Sequence, residues 1–318
     1  MEIKRREFLK AAAAGGLLVA SSAHPALARD PKVRTKDALG LLYDSTVCTG
    51  CKACVSACKE YNKMPQSSSS PEDPLWDNAL DTDSRTYNII KLYKDGTGAA
   101  KDREKDGHAY IKRQCMHCVD PACVSACPVS ALKKRPSDGV VIYDKGACIG
   151  CRYCQVGCPF NIPKFEFEKT FPQVQKCQLC SHRLEKNEIP ACAEFCPTGA
   201  TVFGKVDDLM AEAKKRLQYK PGSSQVYPVE RLGGKAVAER VVTPYLPKVY
   251  GEKDGGGTQV LYLAGVPFEK LGLPELEERS DAQRSETIQH TIYKGMIAPI
   301  VLLGGLVYVV HKNTKDHK

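Results

Sequence analysis

The sequence predicts an α+β protein made of two interlocked modules, with an insertion, an irregular C-terminal extension and a single C-terminal transmembrane helix. Three observations carry that expectation. Sixteen cysteines in 318 residues fall into four groups of four, with none left over. The string Ala53-Cys54-Val55-Ser56-Ala57-Cys58 recurs letter for letter as Ala122-Cys123-Val124-Ser125-Ala126-Cys127, the mark of an internal repeat. A charge-free run of sixteen residues, 295–310, lies close to the C-terminus.

The groups are Cys48, Cys51, Cys54, Cys58; Cys115, Cys118, Cys123, Cys127; Cys148, Cys151, Cys154, Cys158; and Cys177, Cys180, Cys192, Cys196. The third, ending in Cys158-Pro159, reads C-x2-C-x2-C-x3-C-P, the ferredoxin spacing that binds iron–sulfur clusters. Soft, negative thiolates suit iron in an all-sulfur tetrahedral environment. Three cysteines of such a loop grip one cluster, and the fourth ligates the neighbouring one, so the motifs work in pairs. Disulfides fit poorly, because C-x2-C pairs with three Cys-Pro exits make an unusual bridge framework. Zinc ribbons pair two C-x2-C knuckles and do not run through four cysteines with this spacing. Four 4Fe-4S clusters are therefore expected. Spacing leaves their pairing open: twenty residues separate Cys127 from Cys148, and eighteen separate Cys158 from Cys177. Group one, with 56 residues before Cys115, is a poor sequential partner for group two.

In chain order, residues 1–28 read as a twin-arginine export signal. Arg5-Arg6-Glu7-Phe8-Leu9-Lys10 precedes an apolar run, and Ala26-Leu27-Ala28 fits a cleavage site. That route exports folded proteins, as clusters inserted before export require. Residues 29–220 form the four-cluster ferredoxin-like core, with an insertion at about 61–110. The insertion begins as a Ser-rich loop, 66–71, and carries a strand over 86–93. Short strands are expected at 140–143 and 201–203, and a helix at 207–218 with Asp207 as N-cap. Residues 221–290 read as a Pro- and Gly-rich wrapping extension with one strand, 259–263. Gly255-Gly256-Gly257 lacks the Lys-Ser/Thr of a phosphate loop and reads as a turn.

The transmembrane helix is expected at 291–311. Its charge-free run is slightly shorter than the roughly 17–25 residues of a spanning helix, and snorkelling by Lys294 and Lys312 makes up the difference. The basic tail, 312–318, predicts a cytoplasmic C-terminus by the positive-inside rule. Together with the export signal this places the body on the periplasmic side of a bacterial inner membrane.

The formal charge of +9 does not point to nucleic acid. Removing residues 1–28 takes away two positive charges, and four thiolate-bound clusters add about −8. The basic balance offsets buried cluster charge. His117 and His182 adjoin cysteine motifs, where a ring N–H can tune a cluster, although packing or surface roles explain them as well.

The four-motif order resembles the beta, or electron-transfer, subunits of formate dehydrogenase and dimethyl sulfoxide reductase complexes. Within that family the chain more closely resembles the HybA-type iron–sulfur subunits of membrane-bound hydrogenase 2. Gln114-Cys115-Met116-His117-Cys118-Val119-Asp120-Pro121 and Tyr250-Gly251-Glu252-Lys253-Asp254-Gly255-Gly256-Gly257-Thr258-Gln259 carry that likeness. The resemblance implies four ligand sets: Cys48, Cys51, Cys54 with Cys196; Cys58 with Cys177, Cys180, Cys192; Cys115, Cys118, Cys123 with Cys158; and Cys127 with Cys148, Cys151, Cys154. It implies a non-catalytic relay between a periplasmic nickel–iron hydrogenase, through its small subunit, and a quinone-linked integral membrane subunit. The alternative is the same relay for a molybdenum-containing oxidoreductase of formate, sulfur or sulfoxide type. One departure is Lys59, which stands where the other groups have proline after the last cysteine.

Overall fold

The computed structural model describes residues 29–65 and 81–315. The expected export signal and the Ser-rich stretch 66–71 lie outside the described residues. Residues 31–282, which hold every cysteine, form one compact unit.

At the centre of that unit is the three-stranded sheet β12-β1-β9, formed by Val260–Leu263, Leu39–Asp44 and Thr201–Lys205. Strand β1 pairs parallel with β12 and antiparallel with β9. Its near-continuous apolar sequence fits a strand covered on both faces. Leu41 and Tyr43 face the core that contains Cys48, Cys54, Cys115, Cys177, Cys192 and Cys196, whereas Leu42 faces helix α6, Val206–Leu217. β12 alternates in step, with Val260 and Tyr262 toward the cysteines and Leu261 and Leu263 toward α6. Gly40 is required between them, because a Cβ there would sit 1.9 Å from the Gln259 carbonyl oxygen.

The insertion is a small sheet of its own, order β2-β4-β3, formed by Ile89–Lys94, Gly107–Arg113 and Ala100–Lys101. Two tyrosine hydroxyls tie it to the central sheet: Tyr43 donates to the Tyr110 carbonyl at 2.9 Å and Tyr262 to the Lys112 carbonyl at 2.8 Å. The hairpins β5–β6, Leu132–Lys134 with Val141–Tyr143, and β7–β8, Lys164–Phe165 with Val174–Gln175, complete the scaffold of the cysteine loops.

Helix α6 begins one residue earlier than expected. Lys205 is its N-cap, and Asp207 and Asp208 sit in the first turn without a side-chain capping bond, where they favour the positive end of the helix dipole. The burial of Val206 sets this start. Gly255, Gly256 and Gly257 all have positive φ (61°, 83° and 86°) and form a tight turn, as expected. The C-terminal stretch also contains the hairpin β10–β11, Ser224–Pro228 with Val237–Val241, which the sequence did not announce.

Helix α7, Asp281–Lys315, is continuous for 35 residues through Pro299. It extends well beyond the charge-free run at its N-terminal end, adding Ile288, Ile292 and Tyr293 to the exposed apolar surface. Among the described residues it is the one helix long and apolar enough to cross a membrane.

Candidate iron–sulfur centres

The four cysteine groups share one local design. The residue before each second cysteine (Gly50, His117, Gly150 and Leu179) is left-handed, with φ of 73°, 46°, 71° and 51°. This turn points the backbone back on itself. The N–H of Gly50, Gly150 and Leu179 each lies 3.4 Å from the sulfur of the preceding Cys48, Cys148 or Cys177. Such N–H···S contacts favour the thiolate. Each third cysteine is the second residue of a short helix: Cys54 in α1 (Ala53–Tyr61), Cys123 in α2 (Ala122–Ser125), Cys154 in α3 (Tyr153–Val156) and Cys192 in α5 (Ala191–Glu194). The fourth cysteine follows four residues later in every group.

Lys59 accounts for the one variation. Proline follows Cys127, Cys158 and Cys196, and there the helices stop after four residues. With Lys59 in that place α1 runs for nine. Proline lacks the N–H that would extend a helix.

The folding of these loops brings distant cysteines together. Cys48, Cys51, Cys54 and Cys196 line one cavity. Cys58, Cys177, Cys180 and Cys192 line a second. Cys127, Cys148, Cys151 and Cys154 line a third. The remaining four are also neighbours, since the thiols acting on Cys118 are, strongest first, Cys158, Cys123 and Cys115. Helix α1 packs against α5, and α2 against α3.

All sixteen thiols are free. Among the described residues, no three His, Cys, Asp or Glu side chains converge closely enough for a single metal ion. Four sulfurs around one cavity suit a cube that spreads its ligands over four irons. Burial pushes Cys54 up to about 12 and Cys154 and Cys158 up to about 11, and it raises Cys58, Cys118, Cys123 and Cys177 as well. Neighbouring thiols add to the rise in each case. Four such groups ionise together only when a bound cation offsets their charge, which is what thiolate-bound iron supplies. The donor set fits the 4Fe-4S cluster.

Charged residues that sequence reasoning did not single out lie close to the cages. Lys134 donates to the Cys118 carbonyl at 2.8 Å and to Gln259 Oε1. Burial pushes it down to about 8, against the pull of Cys118 and Cys115. Lys176 is 3% exposed and donates to the carbonyls of Val141 and Cys177. Lys112 is fully buried on β4. In sequence these resemble any surface lysine, and only the packing of the fold around them reveals them. Of the two histidines, His182 is exposed. His117 is buried, and its Nδ1 accepts the Val141 N–H at 3.0 Å. Burial, reinforced by Lys176, Lys134 and Arg135, holds His117 well below the usual histidine range, so it is neutral.

Comparison with known proteins agrees with this chemistry. The family model of the 4Fe-4S dicluster domain matches residues 107–206. The chain is 50% identical over 323 aligned positions to the hydrogenase-2 operon protein HybA of Escherichia coli O157:H7, covering 99% of this chain and 97% of that one. It is 30% identical over 309 positions to the formate dehydrogenase iron-sulfur subunit of Haemophilus influenzae, covering 96% and 86%. The formate dehydrogenase-O iron-sulfur subunit of Escherichia coli K12 is 30% identical over 292 positions, covering 90% and 86%. With four thiolate cages for four 4Fe-4S clusters and full-length identity at this level, the chain belongs to the HybA family of iron–sulfur electron-transfer subunits.

Proposed function

We propose that this chain relays electrons between a periplasmic nickel–iron hydrogenase, docked through its small subunit, and a quinone-linked integral membrane subunit. The observation that carries the reading is the near full-length 50% identity to a hydrogenase-2 operon protein, on a chain that keeps sixteen cysteines. The proposed ligand sets are Cys48, Cys51, Cys54, Cys196; Cys58, Cys177, Cys180, Cys192; Cys115, Cys118, Cys123, Cys158; and Cys127, Cys148, Cys151, Cys154. Each of three cavities lined by four cysteines supports one set, and the mutual influence of Cys115, Cys118, Cys123 and Cys158 supports the remaining one. The first and last motifs then make one two-cluster module and the middle motifs another, interlocked through the chain order.

When bound, the clusters supply one-electron carriers. The protein's part is to hold them, to bury their charge and to present the outer ones to partners. Around the Cys148 loop, Ile149, Tyr153 and Val156 are 65%, 62% and 87% exposed, an apolar surface suited to a partner subunit beside a cluster. Helix α7 would anchor the chain from the periplasmic side, with its basic end in the cytoplasm. A second reading, the same relay for a molybdenum-containing oxidoreductase, is favoured by the 30% identity to formate dehydrogenase subunits.

Hydrogen gas added to the detergent-solubilised complex is expected to reduce the clusters of this chain, seen by electron paramagnetic resonance. If they stay oxidised under hydrogen but are reduced by formate, the partner is of the second kind.

A further inference from the structure

We infer that Lys112 is a shared potential-setting residue for two of the four clusters, those held by the Cys48 and Cys58 sets. The inference rests on the ligand sets proposed above. Lys112 lies on β4, 0% exposed. By strand alternation it shares a face with Tyr110, whose ring lies close against Gly50 in the first cysteine loop. Its Nζ is 3.4 Å from the Thr201 hydroxyl, and Thr201 lines the cavity of Cys48, Cys51, Cys54 and Cys196. Among the thiols, Cys192, which lines the cavity of Cys58, Cys177 and Cys180, acts on it most strongly. Lys112 therefore touches the lining of the first cage and lies within electrostatic reach of a cysteine of the second.

A buried ammonium is costly unless an opposite charge accompanies it. No carboxylate pairs with Lys112 among the described residues; the negative groups acting on it are Cys192, Cys54 and Cys196. Its natural counter-charge is the pair of clusters. Reduction adds one negative charge to a cluster, and a fixed cation in a low-dielectric core stabilises that added charge. Lys112 thus raises the potentials of both clusters. Lys134 and Lys176 differ, because each spends its hydrogen bonds on backbone carbonyls or an amide.

The test is a redox titration of the full chain with its clusters, followed by electron paramagnetic resonance, for Lys112→Met and Lys112→Arg. Lys112→Met is expected to shift two clusters at least tenfold toward the oxidised form at fixed potential, about 59 mV for a one-electron couple. The other two should not move, and Lys112→Arg should stay near the parent values. Unchanged potentials in Lys112→Met, an equal shift of all four clusters, or an arginine variant that behaves like methionine would overturn the inference. If Lys112→Met loses iron, Lys112→Gln carries the comparison. Loss of the same two clusters from both neutral variants, with Lys112→Arg intact, supports the charge role; loss from all three assigns Lys112 to packing instead. Iron content and the number of distinct signals in the parent chain test the ligand sets separately.

Discussion

Replacing Cys158 by alanine is expected to destroy the cluster held by Cys115, Cys118 and Cys123, leaving that of its own loop in place. Cys158 stands in the loop that begins at Cys148, so proximity in sequence assigns it there. Its surroundings point elsewhere. Among the thiols that act on Cys118, Cys158 is the strongest, and Cys115 in turn acts on Cys158. Backbone N–H groups of Ile162, Phe160 and Asn161 stabilise its thiolate, whereas the cavity of Cys148, Cys151 and Cys154 is completed by Cys127. The spectrum of Cys158→Ala should therefore match that of Cys118→Ala, with one cluster lost or reduced to a three-iron form. A spectrum matching Cys151→Ala would reverse the pairing.

Arg216→Met is expected to produce the largest loss of stability outside the cages, about 3–5 kcal/mol. Arg216 and Asp44 are both 0% exposed and meet at 2.9 Å. Glu212 lies 2.9 Å from the same guanidinium, and Tyr245 donates to Asp44 at 2.7 Å. The other Asp44 oxygen accepts from the N–H and hydroxyl of Thr46, at 3.0 and 2.6 Å. Asp44 thereby joins helix α6 to the turn that leads into Cys48. Removing the guanidinium leaves two carboxylates, one of them wholly buried, without their cation. Cluster bleaching in guanidinium chloride should reach its midpoint at clearly lower denaturant in Arg216→Met, with the Cys48 cluster lost first. Adding Asp44→Asn should recover part of the loss, since it removes the stranded charge. An unchanged midpoint in the single variant would show the pair to be energetically idle.

The ligand type was legible in sequence because its chemistry is local, whereas spacing left open which loops share a cage. Cysteine count, spacing and the trailing prolines state both the ligand type and the four-residue helices. The apolar strand β12 was legible for a similar reason, as a short run of Leu, Val and Tyr. What lay hidden depends on contacts across the chain. Lys112 looks like any strand lysine until both faces of β4 are covered. Arg216 lies in a helix rich in charged residues; it shares the helical spacing of the buried Leu209 and Ala213, but its charge reads as a solvated face like that of Lys214 and Lys215. The β10–β11 hairpin escaped notice because its outward residues, such as Val226 and Val237, are exposed, so alternation never became a clear hydrophobic pattern. Gln259 shows the same limit. It looked like the edge of a strand, yet its side-chain amide donates to the carbonyls of Leu39 and Asp138 at 2.6 and 2.9 Å and joins three segments.

The central claim is that this chain carries four cubane clusters on sixteen cysteines. Iron and acid-labile sulfide counted in the anaerobically purified chain, together with Mössbauer spectroscopy of the same sample, test it most directly. About sixteen irons and about sixteen sulfides per chain, all in four-iron clusters, are expected. Four zinc ions, or disulfides in place of bound iron, would contradict it.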